Sequence, residues 1–283
     1  ILYTGDISHT RQFLVGGCAR PRKGLQVDTL VIESTLGATE SETNGSYTEE
    51  VYRLADAIRR VLHRGGSVLL PSFALGRTQE MANIIAQLQE EAVIPFTPVY
   101  TVGLGRAVYE IYYKFSDYLH PQATLRPLSR FERLGNVWET SVVQDLLRRP
   151  SIIIATSGMM TENTPSAMLA QTMVKSSHHG IFFVGYLDPD TLGYKLLHAA
   201  PGDVLQFEYD RPGVEIVLED IARYRFSAHA TRSELAAIIE RLQPRNIIYV
   251  HGDADALEWM RENTGGDANT FAPLVGETVT IEV

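Results

Sequence analysis

The chain has 283 residues, a net charge of −9, 45% hydrophobic and 21% charged residues, and no apolar run near the ~18 residues of a membrane span. This is the balance of a soluble globular protein with one large or two ordinary domains, and it excludes capture of nucleic acid by an overall basic surface, though not by a local groove. The single cysteine, Cys18, excludes an internal disulfide and suits a reducing, cytoplasmic setting.

Ile1 opens the chain in the middle of a strand-like run, so a piece of a longer protein is expected. Residues 1–5 read as a short strand ending in Thr4-Gly5-Asp6. A carboxylate just past a strand and a glycine can bind a metal or simply make a turn. A second buried strand, Thr29-Leu30-Val31-Ile32, ends in Glu33-Ser34-Thr35-Leu36-Gly37. The polar residues 38–46 read as a crossover between domains. Ser46 and Glu49 have capping-box spacing and open a helix to about His63, with Val51, Leu54, Ala55, Ile58, Val61 and Leu62 on one face. Gly65-Gly66 ends it.

Val68 to Pro71 is a strand, followed by the loop 72–77 and a helix from Thr78 to about Glu91. Free backbone N–H groups at such a helix start can hold an anion, which makes Ser72 and Arg77 phosphate candidates; an ordinary strand-to-helix connection is the plainer alternative. Pro98 to Val102 is another strand, and a helix is expected from there to about Tyr118. Gly103-Leu104-Gly105 resembles the opening of a dinucleotide fingerprint, but Val108 replaces its third glycine. Residues 119–140 read as irregular, with Arg126, Arg130 and Arg133 beside Phe131 and Trp138, a composition that can line a nucleic-acid path or a solvated loop.

Ile152 to Ala155 is a strand whose loop, Thr156-Ser157-Gly158, offers hydroxyls and amides to phosphate oxygens. Ile181 to Val184 is a further strand, and Thr191-Leu192-Gly193 begins a short helix. Residues 203–226 alternate in strand fashion. Phe226-Ser227-Ala228-His229 is a small-residue turn before a helix that Pro244 stops. Ile247 to Val250 is a buried strand with His251 at its end, Glu258-Trp259-Met260 lie on a helix, and Glu277 to Val283 reads as a final strand. Strands alternate with helices from 46 to 200, which implies a parallel α/β layer.

The ordered set Thr-Gly-Asp, Glu-Ser-Thr-x-Gly, Phe-Ser-Ala-His and His-Gly-Asp resembles the β-CASP branch of the metallo-β-lactamase superfamily, a group of two-zinc nucleases. Residues 70–80, Ala155-Thr-Ser-Gly-Met159 and Val184-Gly-Tyr186 with Gly193 are similar to the same family. The resemblance implies a partial metallo-β-lactamase αββα sandwich (residues 1–42 and 222–283) with an inserted parallel α/β β-CASP domain (residues 43–221). It implies Asp6 and His251 as metal ligands, Asp6 shared between two Zn²⁺ ions, and His229 as proton donor oriented by Glu33. It further implies RNA, single-stranded, as substrate, since DNA-processing members usually carry valine where His251 stands. No membrane partner is expected, and a homodimer is compatible with the family.

Departures matter as well. The family's His-x-His-x-Asp-His segment is absent from these 283 residues, and His178-His179 lacks its spacing and acid. Thr231 stands where the family commonly has aspartate, and His-Gly-Asp replaces His-Gly-Glu. As it stands the chain is expected to be a poor nuclease. The alternative is a non-catalytic scaffold of the same fold that binds RNA or a nuclease partner.

Overall fold

The computed structural model describes residues 1–39 and 46–281, so most of the polar crossover lies outside the described residues. The chain divides into two compact units. One comprises residues 1–12, 16–45 and 227–283, and the other residues 13–15 and 46–226.

In the first unit, β1 (Leu2–Tyr3), β2 (Thr29–Glu33), β11 (Asn246–Val250) and β12 (Asn269–Phe271) form a sheet in the order β1-β2-β11-β12, every pairing parallel. Helices α7 (Arg232–Leu242) and α8 (Ala254–Thr264) supply its apolar cover. Leu30, Ile32, Ile247 and Tyr249 from the strands meet Leu235, Ile238, Ile239 and Met260 from the helices in one buried cluster. Each such side chain contributes about 1.5–3 kcal/mol by leaving water. Thr231 caps α7 and forms a full capping box with Glu234. Thr231, which stands where the resemblance expects aspartate, thus starts the helix itself.

The expected strand at Glu277 to Val283 is not formed. Residues 277–281 are irregular, and 282–283 lie outside the described residues. β12 takes the place beside β11 instead. Pro273 follows it, and a turn at Leu274 to Gly276, where Gly276 has φ +86°, carries the chain out of the sheet. The alternation of Thr278, Val279 and Thr280 is thus local pattern without a ladder.

The second unit is a six-stranded parallel sheet in the order β10-β7-β3-β6-β4-β5. Its strands are β3 (Val68–Pro71), β4 (Val99–Val102), β5 (Glu132–Arg133), β6 (Ile152–Ala155), β7 (Gly180–Phe183) and β10 (Ile221–Arg223). β3, β6 and β7 are buried at every position, as strands covered on both faces must be. Alternate residues go to opposite faces. Val68, Leu70, Ile152, Ile154 and Phe182 join α1 (Tyr47–His63) and α2 (Arg77–Glu90) in one core. Leu69, Ile153, Ile181 and Phe183 join α5 (Pro165–Met173) and α6 (Leu192–Leu197) in another.

α1 carries the anticipated capping box at Ser46 and Glu49. The helix expected to run to Tyr118 ends earlier: α3 spans Leu104–Lys114, and a 3-10 turn follows at Ser116–Tyr118. Gly105 belongs to packing rather than to a cofactor, because a Cβ there would lie 2.5 Å from the Thr78 hydroxyl on α2. The segment expected to be irregular holds β5 and a 3-10 turn at Leu128–Arg130, and α4 (Thr140–Leu146) follows it. The strand-like 203–226 stretch resolves into β10 and a small antiparallel pair, β8 (Val204–Leu205) with β9 (Val214–Glu215).

Glu80, on α2, is 2% exposed. One carboxylate oxygen accepts from the backbone N–H of Phe13 at 2.5 Å and from the Tyr47 hydroxyl, and the other from the N–H of Leu14 at 3.0 Å. This anchors the short Phe13–Val15 segment in the second unit.

His179 is buried, and its Nδ1 accepts the Ser67 N–H at 3.1 Å. Burial, reinforced by His178 and Arg64, lowers its pKa. The neutral ring is the native form, so its stabilisation is complete above the unfolded value of about 6.5. It is lost as pH falls from there through the lower folded value. The expected result is a thermal midpoint that falls below about pH 6.5 more steeply in the native protein than in His179→Asn, whose amide oxygen keeps the acceptor without titrating. Equal slopes would refute it.

Candidate metal centre

Four candidate residues come together at the carboxyl ends of two paired strands in the first unit. Glu33 closes β2 and pairs in register with Val250, the last residue of β11. His251 therefore leaves the sheet one step beyond Glu33. Asp6 follows β1 on the other side of β2, and His229 lies in the turn before α7. Strand ends are where a parallel sheet leaves room for polar side chains.

Asp6, His229 and His251 each place a ligand-type atom so that all three lie within 4.8 Å of one another. The imidazoles are stacked, with centroids 5.4 Å apart and planes 26° from parallel. His251 Nδ1 is 3.5 Å from Asp6 Oδ1. A carboxylate and an imidazole are donors suited to zinc, and Asp6 and His251 lie close enough to share one ion, so these residues fit that metal.

Glu33 is 1% exposed. Its Oε2 accepts from His229 Nδ1 at 2.8 Å, and its Oε1 from the Ile7 N–H at 2.8 Å. Burial alone would raise its pKa, but the hydrogen bonds from His229 and Ile7 outweigh it and hold the carboxyl below its ordinary value. The same bond to Glu33, with the charges of Glu33 and Asp6, raises His229 against the opposing effect of burial. His229 thus has Nδ1 committed to Glu33 and a strengthened preference for the protonated form, an arrangement compatible with proton donation.

Two backbone features frame the site. His251 has φ +55°, a left-handed conformation that costs a non-glycine residue on the order of 1 kcal/mol. The Ser34 N–H and the Thr35 hydroxyl both donate to its carbonyl, at 3.3 and 2.9 Å, and hold it there. Gly252 passes so close that a Cβ would lie 2.9 Å from the Ser34 carbonyl oxygen. The glycine of His-Gly-Asp is required by this contact.

Thr35 had no assigned part in the sequence reading. Its Oγ1 lies 2.9 Å from His251 Nδ1 and 3.2 Å from His229 Nδ1. The signal for it is its place in Glu-Ser-Thr-x-Gly, two residues after Glu33.

The phosphate candidates belong to the second unit. Ser72 is fully buried and donates its hydroxyl to the Leu70 carbonyl. Arg77 is 7% exposed, with its guanidinium 6.0 Å from the centre of the Phe226 ring. Burial lowers its pKa, opposed by Tyr47 and Glu80. Both side chains are directed inward. Thr156 and Gly158 are buried and Ser157 half-buried, with the Ser157 hydroxyl accepting from the Thr161 N–H at 3.0 Å.

Residues 78–196 match the family model of the Beta-Casp domain, and residues 213–273 that of the Zn-dependent metallo-hydrolase RNA specificity domain. The chain belongs to the β-CASP family of the metallo-β-lactamase superfamily. Relatives of this β-CASP chain include transcription termination factor FttA of Thermococcus kodakarensis, 31% identical with 90% of this chain and 40% of that protein covered. Cleavage and polyadenylation specificity factor subunit 3 of Dictyostelium discoideum is 27% identical, with 93% and 33% covered. RNase aCSPSF2 of Saccharolobus solfataricus is 26% identical, with 100% and 51% covered. The β-CASP chain thus spans 33–51% of the length of these three relatives. Among the described residues no helix is long and apolar enough to cross a membrane.

Proposed function

We propose that the full-length protein is a zinc-dependent hydrolase that cleaves phosphodiester bonds of single-stranded RNA. In this reading two zinc ions are present in the whole protein. Asp6 and His251 help to hold them, and His229 protonates the leaving ribose oxygen. The observation that carries the reading is the convergence of Asp6, His229 and His251 within 4.8 Å, beside a buried Glu33 bonded to one of the two rings. Bound zinc supplies charge for the phosphate oxygens and lowers the pKa of water to near neutrality.

The protein's own groups do the rest. Glu33 fixes the His229 ring and keeps its proton available at Nε2. Asp6 adds negative charge that favours the imidazolium. In this reading the amides of Ser157 and Gly158 offer hydrogen bonds to RNA phosphates. The names of the relatives favour RNA as the substrate class and cleavage over a purely scaffolding role.

The test uses the protein from its full reading frame, with zinc measured by mass spectrometry and cleavage followed on end-labelled RNA. Stripping with a chelator is expected to abolish cleavage, and zinc to restore it. Zinc-loaded protein that leaves RNA intact, or cleavage that persists without zinc, would sink the proposal.

A further inference from the structure

We infer that Thr35 is a positioning residue that sets the tautomer and orientation of His251, so that Nε2 is the ring nitrogen His251 offers to a ligand. This deepens the zinc reading and rests on it only for the identity of that ligand.

The argument is one of proton counting. A threonine hydroxyl has one proton to give and lone pairs to accept with. Thr35 Oγ1 lies 2.9 Å from both the carbonyl oxygen and Nδ1 of His251. The carbonyl can only accept, so the hydroxyl proton goes there and the lone pairs face Nδ1. Two lone pairs directed at one another would repel, so Nδ1 must carry the ring proton. Asp6 Oδ1 lies 3.5 Å from that nitrogen, too long for a good hydrogen bond, so its charge adds only a weak bias in the same direction and Thr35 sets the tautomer. With Nδ1–H fixed, the remaining lone pair is on Nε2.

His229 follows the same pattern with a different partner. Its Nδ1–H donates to Glu33 at 2.8 Å, and Thr35 Oγ1 lies at 3.2 Å as a weaker second acceptor. One hydroxyl thus touches both rings, which are stacked on each other. A metal-ligating histidine generally donates its other N–H to an oxygen that orients it. Here a carboxylate serves one ring and a hydroxyl the other. Thr35 also holds the His251 main chain in its left-handed conformation, so a single side chain fixes both ring and backbone of the same residue.

The test compares native protein with Thr35→Val, which keeps the shape without the hydroxyl, and with Thr35→Ser, which keeps the hydroxyl. Metal-free protein is studied by ¹⁵N-edited NMR of the imidazoles at about pH 9, well above the ordinary histidine range. Zinc affinity is measured separately by titration of the metal alone. Native His251 is expected as the Nδ1–H tautomer. Thr35→Val loses that preference and binds zinc about 10–100-fold more weakly, and Thr35→Ser restores both. A native His251 carrying its proton on Nε2, or a tautomer indifferent to Thr35→Val, overturns the inference. So does an unchanged zinc affinity in a variant whose tautomer has shifted. If the native protein binds no zinc yet shows the Thr35-dependent Nδ1–H tautomer, the positioning role is upheld and the zinc reading alone falls.

Discussion

His229→Ala lowers RNA cleavage by the full-length protein by about 10²–10⁴-fold, the usual value of a positioned proton donor, while leaving its zinc content unchanged. His251→Ala lowers both zinc content and cleavage. The two rings are stacked and similar in chemistry, so the contrast rests on what each ring's other nitrogen does. His229 is bonded to a carboxylate that is 1% exposed, which stabilises the imidazolium and so keeps a proton on the ring to be donated. His251 is bonded to a hydroxyl, lies beside Asp6 and is more open to solvent, with a side-chain exposure of 55% against 23% for His229. Elemental analysis of the purified variants, together with single-turnover cleavage, measures the difference. Equal loss of metal from both would make His229 a third ligand alongside Asp6 and His251. Glu33→Gln should follow His229→Ala in direction, because an amide orients the ring without stabilising its charge.

Glu80→Ala destabilises the second unit by about 3–5 kcal/mol, the range for removing one partner from a buried charged network. The carboxylate serves the N–H groups of Phe13 and Leu14 and the Tyr47 hydroxyl together. It also offsets the buried charge of Arg77, whose Nη1 has no hydrogen-bond partner. Burial and the proximity of Glu80 push the Tyr47 phenol far above its ordinary value, so it remains an O–H donor. Alanine would leave three donors without an acceptor and a guanidinium without its counter-charge. Urea unfolding followed by circular dichroism reads the effect. Glu80→Gln retains one acceptor oxygen and should lose less, and a midpoint unmoved by Glu80→Ala would show that the network contributes nothing.

Local signals carried most of the fold. The Ser46 and Glu49 pair started α1 where it starts, and the apolar runs at 68–71, 152–155 and 246–250 became strands because each is short, apolar and followed by a turn or loop. α5 starts with Pro165 in its first turn, but its polar residues Ser166, Gln171 and Thr172 are spread round the helix and mark no single face. α4 is only seven residues long, too short for a helical period to stand out. The false final strand at the carboxyl end arose because alternation describes a residue's readiness to pair and says nothing about a vacant edge.

The candidate site was legible in parts. Carboxylates and histidines at strand ends drew attention to Asp6, Glu33, His229 and His251, and the structure brings them together across as many as 245 residues of separation. Thr35 stayed hidden because its partners are 194 and 216 positions away, and a hydroxyl has no sequence pattern of its own. Arg77 and Ser72 misled in the opposite sense. Their loop has the composition of an anion site, but whether a side chain faces water or core depends on packing that a single sequence does not display.

The second unit enters and leaves through neighbouring points. Tyr47 and Phe226 meet edge to face with ring centroids 5.5 Å apart, and Glu50 accepts the Arg225 N–H at 2.6 Å. A module whose two ends are fastened side by side can be lifted out and transplanted as a cassette, since a short linker could close the gap left in its host. The tripeptide at Phe13–Val15 makes the cut less clean. It lies upstream of Ser46, yet its N–H groups donate to Glu80, so a cassette that begins at Ser46 would leave that buried carboxylate with the Tyr47 hydroxyl but without the Phe13 and Leu14 donors. Transplanting this module therefore means carrying a passenger: residues that satisfy Glu80 travel with it or are supplied anew by the host.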